Sequence, residues 1–232
     1  MVAFTTDEIR RSFVVEDVTD RPAQLRMAFD LVAAGYAQLA STPLDPQEIR
    51  EELCADSYHR HGLARTLLLT GVNPNTGTVE PLGTLRIVLG YAHTATLGMP
   101  PLEAMGLLTP EAGWQDFTFA GFDVDKVVEG GRTAVAPACR TGLAKAMSVP
   151  LCVLGTLYQE GFRLALHTYA KPQYWGILPS YVVTRVEALG ITLIPTPRLT
   201  LNHQDNAQLF RKYDRYWLHS NPWFYKVLVP VS

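Results

Sequence analysis

The sequence lacks the features that mark several common classes of protein. Its apolar stretches stop well short of the ~18–20 residues that cross a bilayer, so no membrane-spanning helix is predicted. The first residues, MVAFTTDEIRRSF, carry charge too early for the apolar region of a signal peptide. Charged side chains make up only 18% of the chain, 20 basic and 22 acidic, and neither sign forms a long run. We therefore expect a cytoplasmic protein without a nucleic-acid footprint.

Cysteines and recognisable metal or nucleotide motifs are also scarce. Cys54, Cys139 and Cys152 are odd in number and widely spaced, which fits neither a disulfide framework nor a CxxC metal site. His59 and His61 have no carboxylate at metal-ligand spacing, so a solvated loop is the favoured interpretation. Neither a G-x-S-x-G nor a G-x-x-x-x-G-K-[ST] motif occurs. We expect reduced thiols, no metal and no tightly bound cofactor.

What the sequence does contain is enough apolar material for one large domain. The chain has 232 residues, 47% of them hydrophobic, and we predict a single domain over residues 1–232. Apolar spacing predicts a helix over residues 22–40, and an N-cap followed by proline at Asp45-Pro46 predicts a short helix to about Asp56. Two β-rich runs, Ala64–Thr70 and Pro81–Leu89, flank a turn signal and predict a hairpin.

The second half of the sequence predicts alternating strands and helices after an irregular insertion at about residues 92–126. The predicted elements are strand Lys126–Val135, helix Gly142–Glu160, strand Phe162–Thr168, helix Pro172–Leu189, strand Ile191–Pro195 and an edge strand over Trp223–Val229. A hairpin followed by strand–helix–strand units indicates an α/β fold with a mixed sheet and helices on its faces.

The segment around Glu129 and Arg132 carries the most chemical information. An acid and a base share one strand and are separated by Gly130-Gly131, where a bulge would turn both toward one cleft. Acyl transfer to an amine needs a proton acceptor and donors for the developing oxyanion. Glu129 can supply the first, and a bulge frees backbone N–H groups for the second. The alternative is an ordinary Glu–Arg ion pair at the end of a strand.

Two further positions are candidates for site residues. Gly142 opens a helix after Arg140 and Thr141, and a helix N-terminus presents free N–H groups that suit a phosphate. Such a loop can equally serve only to turn the chain. His167 ends a predicted strand and can act as a second acid or base, although a structural histidine is the commoner role for such a position.

These residues resemble the GNAT superfamily of acyltransferases. Its phosphate loop has the pattern Q/R-x-x-G-x-G/A, and Gly142-x-Ala144 matches the end of it, while Cys139 stands where Gln or Arg is expected. Within the superfamily, the acyl-homoserine-lactone autoinducer synthases carry a Glu-x-x-Arg strand and a Gly-x-x-Arg strand. Glu129 with Arg132, and Gly83 with Arg86, are similar to these.

Bacterial long-chain N-acyl amino acid synthases resemble the chain more closely still, over roughly residues 22–229. The similar stretches follow the same order along both sequences, and they are Leu25-Arg26, Gly35-Tyr36, Leu97-Gly98-Met99-Pro100, Tyr216-Trp217 and Pro222-Trp223-Phe224-Tyr225. The resemblance implies a GNAT-like mixed central sheet with a splayed parallel strand pair. It also implies transfer of a long fatty acyl chain from an acyl-carrier-protein or coenzyme A thioester to the amine of an amino acid or peptide.

The resemblance further implies roles for individual residues. Glu129 serves as the base or as its water-holding partner, and Arg132 and Arg86 organise the cleft or bind a substrate carboxylate, for which a planar guanidinium is well suited. The resemblance also implies that Arg26 binds substrate, whereas a surface-exposed arginine is the default interpretation of that position on its helix. Four residues hold the phosphopantetheine arm of the donor, namely Val135, Arg140, Thr141 and Gly142. An acyl carrier protein is then the expected partner. Two alternatives stay open: a short-chain acyl-CoA or acetyl-CoA N-acetyltransferase, and a non-catalytic module that binds acyl groups or peptides.

Overall fold

The structure is a computed structural model that describes residues 5–39, 45–89, 91–99, 126–178, 180–195 and 223–228. These residues fall into two compact units, each treated separately below. The first unit takes in the described residues within Met1–Gln38, Pro43–Ile87 and Gly131–Leu164, and the second takes in the described residues of the remainder. The expectation of one domain over residues 1–232 stays a prediction.

Helices and strands alternate along most of the described chain. The α-helices are α1 Thr6–Arg11, α2 Pro22–Leu39, α3 Pro46–Ile49, α4 Ser57–Arg60, α5 Tyr91–Thr96, α6 Gly142–Ala146, α7 Val149–Thr168 and α8 Ser180–Glu187. A π-helical turn spans Arg50–Cys54, and a 3-10 helix spans Pro137–Arg140. The strands are β1 Val14–Asp17, β2 Ala64–Val72, β3 Val79–Val88, β4 Val127–Val135, β5 Gln173–Leu178, β6 Thr192–Pro195 and β7 Trp223–Leu228.

The described strands form a mixed sheet in the order β1-β2-β3-β4-β5-β7-β6. β1 runs antiparallel to β2, and β7 runs antiparallel to both of its neighbours, β5 and β6. β4 and β5 are parallel, with Val127 opposite Gln173 and Glu129 opposite Trp175. The parallel register covers three residue pairs, although both strands continue beyond it, as expected of a splayed pair. The predicted fold class, a mixed sheet with a parallel pair flanked by helices, is confirmed.

The early elements form where the sequence predicts them. Asp45 caps α3 by accepting a hydrogen bond from the Gln47 N–H at 2.8 Å, and Pro46 occupies the first turn, where its missing N–H costs nothing. The turn between β2 and β3 is closed by the Asn73 N–H, which donates to the Thr78 carbonyl at 3.0 Å. α2 spans Pro22–Leu39, so the helix predicted over residues 22–40 is confirmed as far as residue 39. β2 and β3 are neighbours in the sheet, so the predicted hairpin is confirmed.

Close packing of α7 on β3 shapes the core of the first unit. A Cβ at Gly83 would lie 2.4 Å from Val153 Cγ1, and a Cβ at Gly161 would lie 2.9 Å from Ile87 Cδ1. Glycine at both positions lets the helix approach the strand more closely than any other residue would allow. The buried apolar side chains around this contact include Leu82, Leu85, Ile87, Val153 and Leu157.

Two predicted elements after Gly161 are wrong. The segment Phe162–Thr168 continues α7 instead of forming a strand, because Gly161 serves a close approach inside the helix and does not end it. The predicted helix Pro172–Leu189 is divided between β5 and α8, with the aromatic and aliphatic run of β5 favouring a strand. The predicted helix Gly142–Glu160 is also interrupted, at Met147 and Ser148, between α6 and α7.

Three smaller differences concern the ends of the sheet and the insertion. β7 was expected as an edge strand and instead lies between β5 and β6. α5 forms at the start of the expected irregular insertion, whose residues 100–125 lie outside the described part of the chain. The sequence reasoning also missed α1 and β1. Within the described ranges, no helix combines the length and apolar character that crossing a membrane requires.

Candidate functional site

The candidate site begins with Glu129 on β4, in the second unit. Its side chain is buried, with 6% of the residue exposed, and it stands opposite Trp175 at the last paired position of the β4–β5 ladder. Trp175 is itself 1% exposed. The structure therefore describes Glu129 as a buried residue, and its role as a base stays a prediction.

β4 departs from regular geometry at Arg132, in the first unit. This residue has a φ of +50°, in the left-handed region that side chains other than glycine seldom enter. The departure lies one residue after the glycine pair that predicted a bulge. Holding a residue with a side chain there costs about 1–2 kcal/mol, so the surrounding contacts must fix it in place.

Two contacts from the π-helical turn region hold Arg132. Its Nε donates a hydrogen bond to the carbonyl oxygen of Leu53 at 2.8 Å, and a terminal guanidinium nitrogen lies 3.7 Å from an Asp56 carboxylate oxygen. Leu53 belongs to the turn in which the Ala55 N–H donates to the Arg50 carbonyl, five residues back. Short π-helical stretches occur often at functional sites because they re-aim backbone groups.

Asp56 also binds Arg86 of β3, so one carboxylate faces two guanidinium groups. Arg86 donates to Asp56 through a terminal nitrogen, and the second carboxylate oxygen accepts the His59 N–H at 3.0 Å, which caps α4. Asp56, Arg86 and Arg132 are all at most 7% exposed, and we refer to them as the buried arginine cluster. Sequence reasoning identified both arginines and missed Asp56, whose position before Ser57 suggested only a helix boundary.

A small cavity adjoins the buried arginine cluster within the first unit. It has room for about one water molecule. The side chains that line it come from α2, the π-helical turn and three strands, and they are Phe29, Val32, Cys54, Thr66, Thr84, Arg86 and Arg132. Burial raises the pKa of the Cys54 thiol to about 12, while Arg132 and Arg86 act in the opposite direction. Cys54 is therefore a protonated thiol at neutral pH and a poor nucleophile.

The segment after β4, which we call the 137–146 loop, comprises the 3-10 helix, Thr141 and α6. Cys139 is buried there, and burial raises the pKa of its thiol to about 11, helped by the charge of Glu80. Arg140 turns back toward β4, where its Nε and a terminal nitrogen donate to the Val135 carbonyl at 3.1 and 2.6 Å. Arg140, which the sequence predicts to contact the donor, therefore contacts β4, the strand that precedes the loop.

Asn75, from the turn between β2 and β3, is bound to the 137–146 loop. Its Nδ2 donates to the Ala138 carbonyl at 2.7 Å, and its Oδ1 accepts the Ala144 N–H at 3.2 Å. Gly142 has a φ of +55°, and a Cβ on it would lie 2.8 Å from Asn75 Oδ1. Sequence reasoning treated Asn75 as a turn residue only. Its distance of more than 60 residues from these partners explains why no local pattern could reveal the contact.

The remaining candidates occupy more open positions. Arg26 lies on an exposed face of α2, whereas Phe29 and Val32 of the same helix line the cavity. Thr141 is exposed and its hydroxyl donates to the Ala138 carbonyl at 3.2 Å. His167 is exposed in the last turn of α7, so the expectation that it ends a strand is wrong.

The structure thus brings some predicted residues together and leaves others apart. Arg86 and Arg132 meet at Asp56, and Arg140 meets Val135. Arg26 is exposed on α2. Across the parts of the chain that the structure describes, no cluster of histidine, cysteine, aspartate or glutamate could hold a metal ion. The roles assigned to these residues from the sequence stay predictions.

Comparison with known proteins finds likeness in structure but not in sequence. No family model matches the chain, and no curated protein is similar to it. Among solved structures, an acetyltransferase from Streptococcus agalactiae is 11% identical, with a TM-score of 0.48, over 94% of this chain and 99% of that one. The CoA-dependent acyl-homoserine lactone synthase BjaI, solved with SAM and isopentyl-CoA, is 14% identical, with a TM-score of 0.49, over 93% and 81%.

A third structure, a chimera of the spermidine N-acetyltransferase SpeG from Vibrio cholerae, is 10% identical, with a TM-score of 0.43, over 93% of this chain and 94% of that one. At 14% identity or less, these three structures are proteins to which the chain is remotely similar.

Proposed function

We propose that the protein is an N-acyltransferase that moves an acyl group from a thioester donor to an amine. The observation that carries the proposal is the construction of β4, with a buried carboxyl group at Glu129 and a left-handed residue at Arg132 three positions later. A break in a strand leaves backbone N–H groups outside the regular ladder, where they can bind an oxyanion. The resemblance to the GNAT superfamily assigns the same segment to catalysis.

The reaction is a direct displacement at the thioester carbonyl. The amine nitrogen attacks the carbonyl carbon, a C–N bond forms, and the oxygen becomes an oxyanion that backbone N–H groups of β4 stabilise. Glu129 accepts the proton that the nitrogen must lose. The oxyanion then collapses, the C–S bond breaks, and the thiolate of the donor leaves and takes up a proton. The products are an amide and a free thiol.

Two of the three thiols do not suit an acyl-enzyme intermediate, because they are poor nucleophiles. Cys54 and Cys139 are buried, and burial raises their pKa values to about 12 and about 11. A cysteine that carries an acyl group works as a thiolate, and such residues have lowered pKa values. Neither thiol fits that role.

The buried arginine cluster supports the same segment in this proposal. Arg132 and Arg86 share the carboxylate of Asp56, so we assign them to holding β4 in its irregular conformation. This is the organising role that the sequence allowed for both residues, and binding of a substrate carboxylate by them is the alternative. A residue in the left-handed region persists when surrounding contacts determine its conformation, and buried ion pairs provide such contacts.

For the substrates, the resemblance to long-chain N-acyl amino acid synthases supplies the proposal. The donor is a long-chain fatty acyl group carried on the phosphopantetheine of an acyl carrier protein or on coenzyme A. The acceptor is the amine of an amino acid or peptide. In this proposal Val135, Thr141 and Gly142 line the path of the pantetheine arm, because they follow directly on the irregular part of β4.

The test is a Glu129→Gln variant assayed for N-acylated product. Purified protein is incubated with an acyl-carrier-protein or acyl-CoA donor and a mixture of amino acids, and the products are identified by mass spectrometry. We expect turnover to fall by about 10²–10⁴-fold, the usual contribution of a general base. Circular dichroism and the thermal melting temperature report whether the fold persists.

Glu187→Gln is the matched control, since Glu187 is exposed on α8 and loses the same charge. Its turnover should equal that of the wild type. Unchanged turnover in Glu129→Gln would remove the general base from the proposal. Absence of any N-acylated product from the wild-type protein would instead favour the non-catalytic binding module.

A further inference from the structure

Gly176 lies on β5 immediately after the end of its parallel ladder with β4. The last pair of the ladder is Glu129 with Trp175, and the next residue of each strand is a glycine, Gly130 on β4 and Gly176 on β5. These four residues belong to the second unit, and Gly176 is buried. Glycine weakens the interior of a strand because it has no side chain to pack, so its presence at this register position on both strands calls for a physical reason.

Neither backbone conformation nor crowding requires a glycine at position 176. Its φ lies outside the left-handed region, in contrast to the φ of Gly142. Among the residues that the structure describes, the atoms nearest to a Cβ on Gly176 would be the Gly130 carbonyl oxygen at 3.7 Å and Leu178 Cδ2 at 4.0 Å. Both are ordinary van der Waals distances, whereas a Cβ on Gly83 would lie 2.4 Å from Val153 Cγ1. A glycine inside a strand also occurs where a ligand approaches the backbone closely, and that reason remains for Gly176.

The bare backbone at Gly176 lies on the face of the sheet opposite to the Glu129 side chain. Residues paired across two strands point to the same face, so Glu129 shares a face with Trp175, and the next residue of β5 points to the other face. Tyr174 and Leu178, two residues before and two residues after Gly176, share its face. Burial raises the pKa of Tyr174 to about 12, so its phenol stays neutral at neutral pH. These two neighbours of Gly176 are therefore uncharged and suit an apolar ligand.

We infer that Gly176 is a specificity-determining residue, whose lack of a side chain admits the first methylene groups of a long acyl chain. This inference rests on the proposed acyl transfer. In that reaction the amine lies on the face of Glu129, which accepts its proton, and the acyl chain cannot fill the same space. The chain therefore leaves the thioester carbonyl on the opposite face, over Gly176. An acetyl group ends before it reaches this space, so a side chain at position 176 restricts the protein to short acyl groups.

The test compares dodecanoyl and acetyl thioesters of the same carrier on the wild type, Gly176→Ala and Gly176→Val. We expect the ratio of kcat/KM for dodecanoyl to kcat/KM for acetyl to fall about tenfold in Gly176→Ala and further in Gly176→Val, because one methylene that an apolar site cannot accommodate costs about 10–200-fold. Transfer of acetyl should stay near the wild-type rate. Thr192→Ile is the control, since Thr192 is exposed on β6, which β7 separates from β5. Circular dichroism reports whether each variant folds, and Gly176→Ala decides the test if Gly176→Val does not.

The possible outcomes separate this inference from the proposed function. If the wild type makes no N-acylated product from either thioester, the proposed function fails. If product forms but the ratio for Gly176→Ala equals that of the wild type, or both thioesters lose rate equally, Gly176 serves only the strand and the inference fails.

Calorimetric titration with dodecanoyl-pantetheine and acetyl-pantetheine gives a readout that needs no turnover, and both kinds of donor share this arm. We expect Gly176→Ala to bind dodecanoyl-pantetheine about tenfold more weakly than the wild type does, with no change for acetyl-pantetheine. Equal affinities of the two proteins for dodecanoyl-pantetheine, or no binding of it to the wild type, would overturn the inference.

Discussion

The buried arginine cluster and the 137–146 loop each connect segments that are far apart in the sequence, but they do so through different interactions. Both belong to the first unit. The cluster uses charges, with Arg86, Asp56 and Arg132 at most 7% exposed. The loop is held by neutral hydrogen bonds from Asn75, which is exposed.

The difference in burial decides which of the two can change during function. Breaking a buried ion pair leaves charge in a medium that solvates it poorly, so the cluster is expected to be permanent. Exposed neutral hydrogen bonds exchange with water or a ligand at a cost of about 1 kcal/mol. We therefore expect the contacts of the cluster to be permanent and the hydrogen bonds of the loop to be the ones that can exchange.

Replacing Asp56 with asparagine should have the largest effect on this comparison. Asparagine keeps the cap on α4, because it accepts a backbone N–H as well as aspartate does, but it removes the carboxylate that Arg86 and Arg132 share. We expect a loss of about 3–5 kcal/mol in the free energy of unfolding, measured by urea denaturation. Turnover should fall as well, because Arg132 loses one of the contacts that hold its backbone.

The control for this variant is Asp30→Asn, which removes an exposed ion pair with Arg50 at 2.9 Å. An exposed pair contributes less than about 1 kcal/mol, so this variant should denature nearly as the wild type does. Similar losses in the two variants would show that burial does not separate the cluster from the surface, and the comparison would not hold.

The sequence predicts the fold well where its signals are local. Asp45-Pro46 marks the start of α3, and the turn residues from Asn73 to Gly77 mark the hairpin, because caps and turns depend on neighbouring residues. It fails at Gly161, which looks like a helix end but sits inside α7. The reason is tertiary, since a Cβ there would meet Ile87 of β3.

The candidate site shows the same limit. Glu129, Arg132 and Arg86 could be identified because acid and base residues stand out in apolar strands. Asp56 and Asn75 could not, because each acts on residues between 30 and 76 positions away and looks like an ordinary cap or turn residue. The left-handed conformation of Arg132 could not be predicted either. Glycine is the residue that commonly adopts this conformation, so the sequence points to Gly130 or Gly131 instead.

An alanine at Gly142 should have an intermediate effect and report on the fit between the loop and Asn75. Gly142 has a φ of +55°, so a side chain there is strained, and its Cβ would lie 2.8 Å from Asn75 Oδ1. We expect about 2 kcal/mol of destabilisation in Gly142→Ala by urea denaturation. In Gly62→Ala, at φ +69° with open space around the Cβ, only the backbone strain of about 1 kcal/mol applies.

A double-mutant cycle separates the two contributions at Gly142. In the Asn75→Ala background, Gly142→Ala should cost about as much as Gly62→Ala does, because the close contact is gone. Additive effects of the two substitutions would mean that Asn75 and the loop do not constrain each other. The claim that Asn75 holds the loop would then be wrong.

The smallest expected effect concerns two buried thiols, one in each region. Burial raises the pKa of Cys54, beside the cluster, to about 12 and that of Cys139, in the loop, to about 11. The thiolate is the form that reacts with iodoacetamide, so labelling of both should rise with pH between 8 and 11.

Asn75→Ala should lower the free energy of unfolding by no more than about 1 kcal/mol, since Asn75 is exposed, yet it should speed the labelling of Cys139 alone. Peptide mass spectrometry of the alkylated protein resolves the two sites. If both thiols gained reactivity together, opening would be global, and the 137–146 loop would be as permanent as the cluster.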